Sequence, residues 1–218
     1  AVGEMYADST FTGATTTING GTSIGGSSGQ DLNSVKLTVA SASRHDGTAE
    51  SGALLKPTAG SGHSNGIIKI QRDDFTIEWL DISMDSLDST NTNHAVRLDS
   101  GCGNCTIRNM LIHDKNGNPG SSGPGAILSG QSLTTSKSWY FLNNIIYSLV
   151  ETNNDSSVGI NIRAFIGSLY IYNNTIYKLK SNGGSKDAVA LRFGDGTHIQ
   201  ANIKNNLVAG LEEGDIAA

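Results

Sequence analysis

Short runs of alternating apolar and polar residues recur along the chain, and none carries the i, i+3, i+4 spacing of an amphipathic helix. Five segments share one pattern: Phe75–Ile82, Cys105–Ile112, Tyr140–Tyr147, Leu169–Tyr177 and Asn202–Val208. Each reads as an apolar strand, a bend position that is usually Asn, and a second apolar strand. Taking the bend as register, Trp79, Asn109, Asn143, Asn173 and Asn205 follow one another at intervals of 30, 34, 30 and 32 residues. A period in the thirties without helical spacing predicts stacked β coils. A third strand lies between repeats, at Ala95–Leu98, Gly125–Leu128, Gly159–Ile162 and Ala188–Leu191. Its alternation puts Val96, Leu98, Ile160, Ile162, Val189 and Leu191 on one face. The expected fold is therefore an all-β solenoid with three short strands per coil. A leucine-rich repeat would need a Leu ladder that is absent, and a propeller would need four strands per blade. Ser34–Val39, Gly52–Leu55 and Ile67–Ile70 read as strands of earlier, less regular coils. Residues 1–33 are expected to form an N-terminal cap or extended arm, and 34–218 the solenoid.

Composition agrees with this class. The chain has 27 Gly, too many for a helical bundle, and 16% charged against 37% hydrophobic residues, too few charges for a solvated coil. Lys and Arg total 15 against 20 Asp and Glu, and the basic residues are scattered, so no nucleic-acid footprint exists. No apolar run approaches the ~18 residues of a membrane span, and the N-terminus lacks a signal-peptide pattern. The start at Ala1 reads either as a processed form or as a segment of a longer polypeptide. No amphipathic helix follows Ala209 to cover the last coil, which predicts a continuing polypeptide or a stacked subunit; Glu212, Glu213 and Asp215 read alternatively as charges that block stacking.

These repeats resemble the right-handed, single-stranded parallel β-helix proteins of the pectate-lyase-like superfamily, over residues 34–211. The resemblance implies a ladder of stacked Asn side chains at the inner bend, at Asn109, Asn143, Asn173 and Asn205. Trp79 departs from that pattern and is expected to end the ladder or turn outward. The run Lys36–Ala49, with the later Thr76–Ile82, is similar to β-helix segments of extracellular and phage-associated proteins. Gly3–Tyr6 is similar to the opening of phage virion domains. Together these likenesses imply a structural or receptor-binding context outside the cell, in a virion fibre, surface filament or adhesin.

Function in a solenoid belongs to outward columns and to interrupting loops. The third-strand pattern aligns Asp99, Ser129, Arg163 and Arg192 in one column. Stacked Arg163 and Arg192 would repel unless an anionic sugar lay between them or Asp99, Asp187 or Asp195 neutralised them. A second column reads Ser83, His113, Tyr147, Tyr177 and Ala209. Its aromatic members form either a strip for stacking on the pyranose rings of a polysaccharide or cell-surface glycan, or packing beneath a loop.

The resemblance also admits a polysaccharide lyase or glycoside hydrolase acting on an acidic polysaccharide, with Arg163, Arg192 and His113 as the residues to test. The polygalacturonase elements match poorly, since His63 precedes Asp73-Asp74, which read as a turn. Arg44-His45-Asp46-Gly47 has residues suited to acid–base work, yet Asp46-Gly47 more simply signals a tight turn. The spacing of Asp81, Asp85 and Asp88 does not form a Ca²⁺ loop, so no metal or cofactor is expected. A lone Cys102-x-x-Cys105 is no zinc site; it reads as free thiols with Cys105 in the core, or as a local disulfide in an oxidising compartment. The leading expectation is a non-enzymatic extracellular module that contacts glycans and self-associates or belongs to a larger polypeptide.

Overall fold

A strand with one apolar face cannot bury it alone, and this chain does so by returning every third strand to the same sheet. The structure, a computed structural model, describes residues 1–8, 10–11, 16–19, 33–56, 66–85, 94–99, 102–117, 125–129, 137–151, 156–163, 166–182, 187–194 and 198–212. The N-terminal segment supplies β1 (Val2–Met5) and β2 (Thr16–Asn19), with Phe11 bridging Leu55 between them. Successive coils then run β3 (Val35–Val39), β4 (Leu54–Leu55), β5 (Ile68–Gln71); β6 (Phe75–Glu78), β7 (Asp81–Ser83), β8 (Val96–Leu98); and β9 (Cys105–Arg108), β10 (Leu111–Gly117), β11 (Gly125–Ser129). They continue through β12 (Lys137–Leu142), β13 (Ile145–Glu151), β14 (Ser157–Ile162); β15 (Ile166–Tyr172), β16 (Thr175–Ser181), β17 (Ala188–Phe193); and finally β18 (His198–Lys204) and β19 (Leu207–Glu212).

These strands form three parallel sheets: β1-β3-β6-β9-β12-β15-β18, β4-β7-β10-β13-β16-β19 and β2-β5-β8-β11-β14-β17. The molecule is an all-β parallel solenoid. Among the described residues no helix is long and apolar enough to cross a membrane. Identical rows line the interior, such as Ile77–Ile107–Phe141–Ile171, Ile82–Ile112–Ile146–Ile176 and Val96–Ile127–Ile160. All of these side chains are fully buried.

The corner between the first and second sheets is built from two adjacent residues. Trp79, Asn109, Asn143, Asn173 and Asn205 have φ between 51° and 67°, the left-handed region that Asn tolerates better than most residues. Their own amides continue the coil-to-coil hydrogen bonding, as in Asn143 N–H to Tyr172 O at 3.0 Å. The following residue turns into the corner, and its buried N–H cannot reach a ladder carbonyl. The side chains of Asn144, Asn174 and Asn206 solve this. Met110 N donates to Asn144 Oδ1 (3.1 Å), Asn144 N to Asn174 Oδ1 (3.0 Å) and Asn174 N to Asn206 Oδ1 (2.9 Å). The amide nitrogens donate onward to Asn174 Oδ1 and Asn206 Oδ1, and to the carbonyls of Ile107, Phe141 and Ile171, at 2.9–3.0 Å.

The inner-bend role expected of Asn109, Asn143, Asn173 and Asn205 therefore falls one residue later in the chain. The first Asn of each pair makes the turn and stays partly or fully exposed, with one side-chain contact, Asn143 Nδ2 to Asn109 Oδ1 at 3.2 Å. Trp79 takes the same left-handed conformation and is partly buried against the core.

A second left-handed position recurs inside the second-sheet strands, at Asp114, Ser148, Lys178 and Gly210 (φ 53–60°). It inserts one residue into the alternation, so Lys115 falls in the inward row of Leu149, Leu179 and Leu211. Lys115 is buried there, and its ammonium pairs with the buried carboxylate of Glu151. Cys102 and Cys105 also differ from the free-thiol reading: a turn brings their Cα atoms to 6.3 Å and they form a disulfide. Trp139 Nε1 donates to Cys102 O at 3.1 Å and packs that turn onto the core.

Removing one member of the corner stack strands a buried N–H. Asn174→Ala is expected to cost about 1–3 kcal/mol for the orphaned Asn144 amide alone, whereas Asn173→Gly leaves stability near wild type, because only the backbone conformation of Asn173 is needed. Urea unfolding of both variants checks this difference. Lys115→Ala leaves Glu151 as an isolated buried carboxylate and is expected to cost about 3–5 kcal/mol, whereas the paired change Lys115→Met with Glu151→Leu recovers most of that loss. The same unfolding experiment reads it.

Candidate functional site

The outer face of the second sheet holds the densest cluster of titratable side chains outside the core. Leu111, His113 and Asp81 project outward there yet are fully buried, because residues 44–52 cross over them. That crossing segment is fixed by its own turn chemistry. Asp46 Oδ1 accepts from Thr48 N and from Ser51 Oγ, each at 2.9 Å, and these bonds hold its carboxyl below the ordinary range. The tight-turn reading of Asp46-Gly47 thus accounts for its carboxylate. Gly47, at φ 98°, lets the segment pass close to Ile145. His45 Nε2 donates to Asn109 O at 2.8 Å, and Glu50 N donates to Asp81 Oδ2 at 2.6 Å. Trp79 is covered by the same segment, with the Arg44 guanidinium 4.8 Å from its ring centroid and the His45 ring tilted against it at 5.8 Å.

His113 sits between two carboxylates. Its Nε2 lies 2.7 Å from Asp81 Oδ1 and its Nδ1 2.8 Å from Asp114 Oδ2. Burial opposes charge on this ring, but the bonds to Asp81 and Asp114 outweigh it and raise the pKa above the ordinary histidine value. Both ring nitrogens are thus committed to carboxylates. Tyr147 stacks on it at 5.4 Å, and Tyr177 on Tyr147 at 4.9 Å, with planes within 14° and 9°. Burial, then the charge of Asp114, pushes the Tyr147 phenol up to about 12.

The expected column of Ser83, His113, Tyr147, Tyr177 and Ala209 is correctly aligned, but it is not an exposed strip. Ring faces at these separations cover one another, so the stack cannot offer the face of His113 or Tyr147 to a pyranose. A second stack was not anticipated. Tyr140 and Tyr170 lie at 4.7 Å and 5° on the outer face of the first sheet, with Tyr172 edge-on to Tyr170 at 6.0 Å. The signal was present as outward tyrosines recurring in Tyr140–Tyr147 and Leu169–Tyr177.

The anion column dissolves on register. Arg192 is level with Asn161, Leu128, Arg97 and Lys69, whereas Arg163 comes level with Gly194, two positions further on. Arg163 N donates to Ser129 Oγ at 2.8 Å. Asp99 lies against Lys69 (3.0 Å) and Arg97 (3.6 Å). Apolar runs such as Ala126-Ile127-Leu128 and Val189-Ala190-Leu191 leave the register of these strands open to a shift along the chain, and such a shift moves a whole row.

On the first sheet, Glu78 is nearly buried and accepts from Thr38 Oγ1 (2.8 Å) and Arg108 Nε (2.6 Å), with Lys36 paired to the same carboxylate. Burial raises its pKa, but Lys36, Thr38 and Arg108 together bring it below the ordinary value. Asp73 pairs with Lys137 at 3.0 Å. A polar cleft of about 280 Å³ opens between Ala7, Asp8, Thr10, Glu50, Gly52 and Leu54. Among the described residues, no group of three or more His, Cys, Asp or Glu is arranged to hold a metal ion. His63, Asp88, Asp195, Glu213 and Asp215 lie outside the described residues. Comparison with known proteins found no matching family model, no matching curated protein and no matching solved structure.

Two histidines bend the stability profile from opposite ends. His94 is buried beside Gly125 O (3.1 Å), and burial, then the positive charge of Lys115, lowers its pKa from 6.5 to about 3. Its contribution is complete above pH 6.5 and falls away as pH drops from 6.5 toward 3. His113, raised in the fold, contributes fully below 6.5 and loses that contribution as pH climbs through its folded value. Urea midpoints measured across pH are expected to fall on both sides of neutrality, and His113→Gln to flatten the alkaline limb alone.

Proposed function

We propose that this chain is a non-enzymatic extracellular scaffold or adhesion module, a solenoid segment of a filament, virion fibre or adhesin. The observation that carries this reading is the commitment of His113 and of the acidic side chains on the outer faces to structural partners. His113 has both nitrogens on carboxylates, the Tyr147 phenol is held protonated far above neutral pH, and Glu78 and Asp99 neutralise basic side chains beside them. A polysaccharide lyase needs a free base near the proton it abstracts, and a glycoside hydrolase needs two carboxylates flanking a bond. The Cys102–Cys105 disulfide supports an oxidising, extracellular setting. The three-strand coil with amides stacked at its corner supports placing the chain with the right-handed parallel β-helices of the pectate-lyase-like kind.

Glycan contact, in this reading, belongs to the outer face of the first sheet. Rows Ser138–Ser168–Gln200 and Tyr140–Tyr170–Asn202 run along it at one strand spacing per step. The stacked tyrosines present ring edges and hydroxyls, so a glycan would be held by hydrogen bonds rather than by ring stacking.

Incubation with alginate, pectate and hyaluronan, with and without Ca²⁺, is expected to give neither ultraviolet absorbance from unsaturated uronate nor new reducing ends. Appearance of either product overturns the scaffold reading.

A further inference from the structure

We propose that the chain stacks head to tail on a second copy of itself, β18 of one copy pairing in parallel with β1 of the next, with Lys204 brought beside Glu4. The proposal rests on the scaffold reading for its purpose but not for its geometry.

Among the described residues, the coil of β18 and β19 is built like the others and exposes its apolar side chains. Ile203 and Val208 continue the inward rows of Ile171 and Ile176, which are fully buried one coil earlier. At the edge Ile203 is 45%, Leu207 60%, Val208 43%, Leu211 40% and Phe193 40% exposed. With β17, β18 and β19 ending the three sheets, their outer backbone groups form a template for further parallel strands. Clustered apolar side chains on an open sheet edge mark an association surface.

The opposite edge of the same molecule fits it row by row. The first-sheet inward row that ends at Ile203 begins at Gly3, through Leu37, Ile77, Ile107, Phe141 and Ile171. Gly3 has no side chain to obstruct an isoleucine placed one strand spacing away. The second-sheet row that ends at Val208 begins at Phe11, through Leu55, Ile82, Ile112, Ile146 and Ile176. Translation by one molecule therefore sets apolar on apolar in that row.

The neighbouring outward row supplies charge complementarity. It begins at Glu4, beside Thr38, and ends with Arg108, Leu142, Tyr172 and Lys204, the Lys204 ammonium 5.7 Å from the Tyr172 ring centroid. Glu4 and Lys204 are both exposed. In-register stacking makes them neighbours in one row, as Glu78 and Arg108 already are within the chain. Such contacts are heterologous, so they propagate rather than close at two copies.

Sedimentation velocity of the 218-residue polypeptide tests this from low micromolar concentration upward, with Lys204→Glu, Glu4→Lys and the two combined. Sedimentation is expected to speed up with concentration beyond a dimer. Each single reversal sets like charges together and is expected to weaken association about tenfold or more, while the double reversal restores it. Both positions are exposed, and circular dichroism verifies that the variants fold. A monomer at every concentration overturns the proposal, as does assembly that stops at two copies or ignores both single reversals. Turnover in the uronate assays removes the scaffold reading without altering the sedimentation result, and a strict monomer without turnover removes only the stacking.

Discussion

The buried N–H at the corner between the first and second sheets is the constraint on which the solenoid depends. A chain that bends sharply once per coil points one amide per coil into the interior, away from any ladder carbonyl, and an orphaned amide there is costly. Asn144, Asn174 and Asn206 answer it with their side chains, each serving the coil before. The equivalent positions in earlier coils are Met110 and Leu80, which have no amide to give. There the corner is covered from outside: His45 takes the Asn109 carbonyl, the Glu50 amide takes Asp81, and Arg44 lies over Trp79. The asparagine stack thus serves the corner in the later coils, and the crossing segment 44–52 covers it from outside in the earlier ones.

That division explains why the cluster around His113 is structural in character. The covering segment buries Asp81 and His113, and the carboxylates of Asp81 and Asp114 then favour charge on the ring against that burial. The left-handed position at Asp114 is what turns its side chain back toward His113 Nδ1. The same inserted position, one residue on, drives Lys115 inward to meet Glu151. One backbone feature repeated along a sheet therefore creates two charge pairs that a strictly alternating strand would have scattered into solvent.

The architecture was legible in the sequence because a coil length in the thirties and three alternating strands leave few folds open. What escaped depends on offsets of one or two residues. Asn143-Asn144, Asn173-Asn174 and Asn205-Asn206 present two amides, and Asn109 pulled the alignment onto the first of each pair, which is the turning residue. Arg163 and Arg192 looked level because continuous apolar runs hide the alternation that sets register. His113 looked exposed because nothing in its own strand announces a segment from some sixty residues earlier lying across it. Lys115 is a buried cation only because of the inserted position before it, and a Lys at a left-handed site, as at Lys178, carries no local signal. The aromatic column was found, but stacking turns its ring faces onto each other, which only the separation between rings reveals.

Few charges and many pairings leave this surface with little unbalanced chemistry along its length. Glu78 and Asp99 each lie against a basic group in a neighbouring coil, and Asp73 against Lys137 two coils on. A repeating rod achieves this because every outward side chain has a neighbour one strand spacing above and below, so opposite charges can be matched within a row. The argument holds for every coil except the first and the last, which have a neighbour on one side only. In a structure whose described interior rows are apolar apart from the buried Lys115–Glu151 pair, Ile203, Leu207 and Val208 leave hydrocarbon uncovered on the edge strands β18 and β19, where a further strand can be recognised.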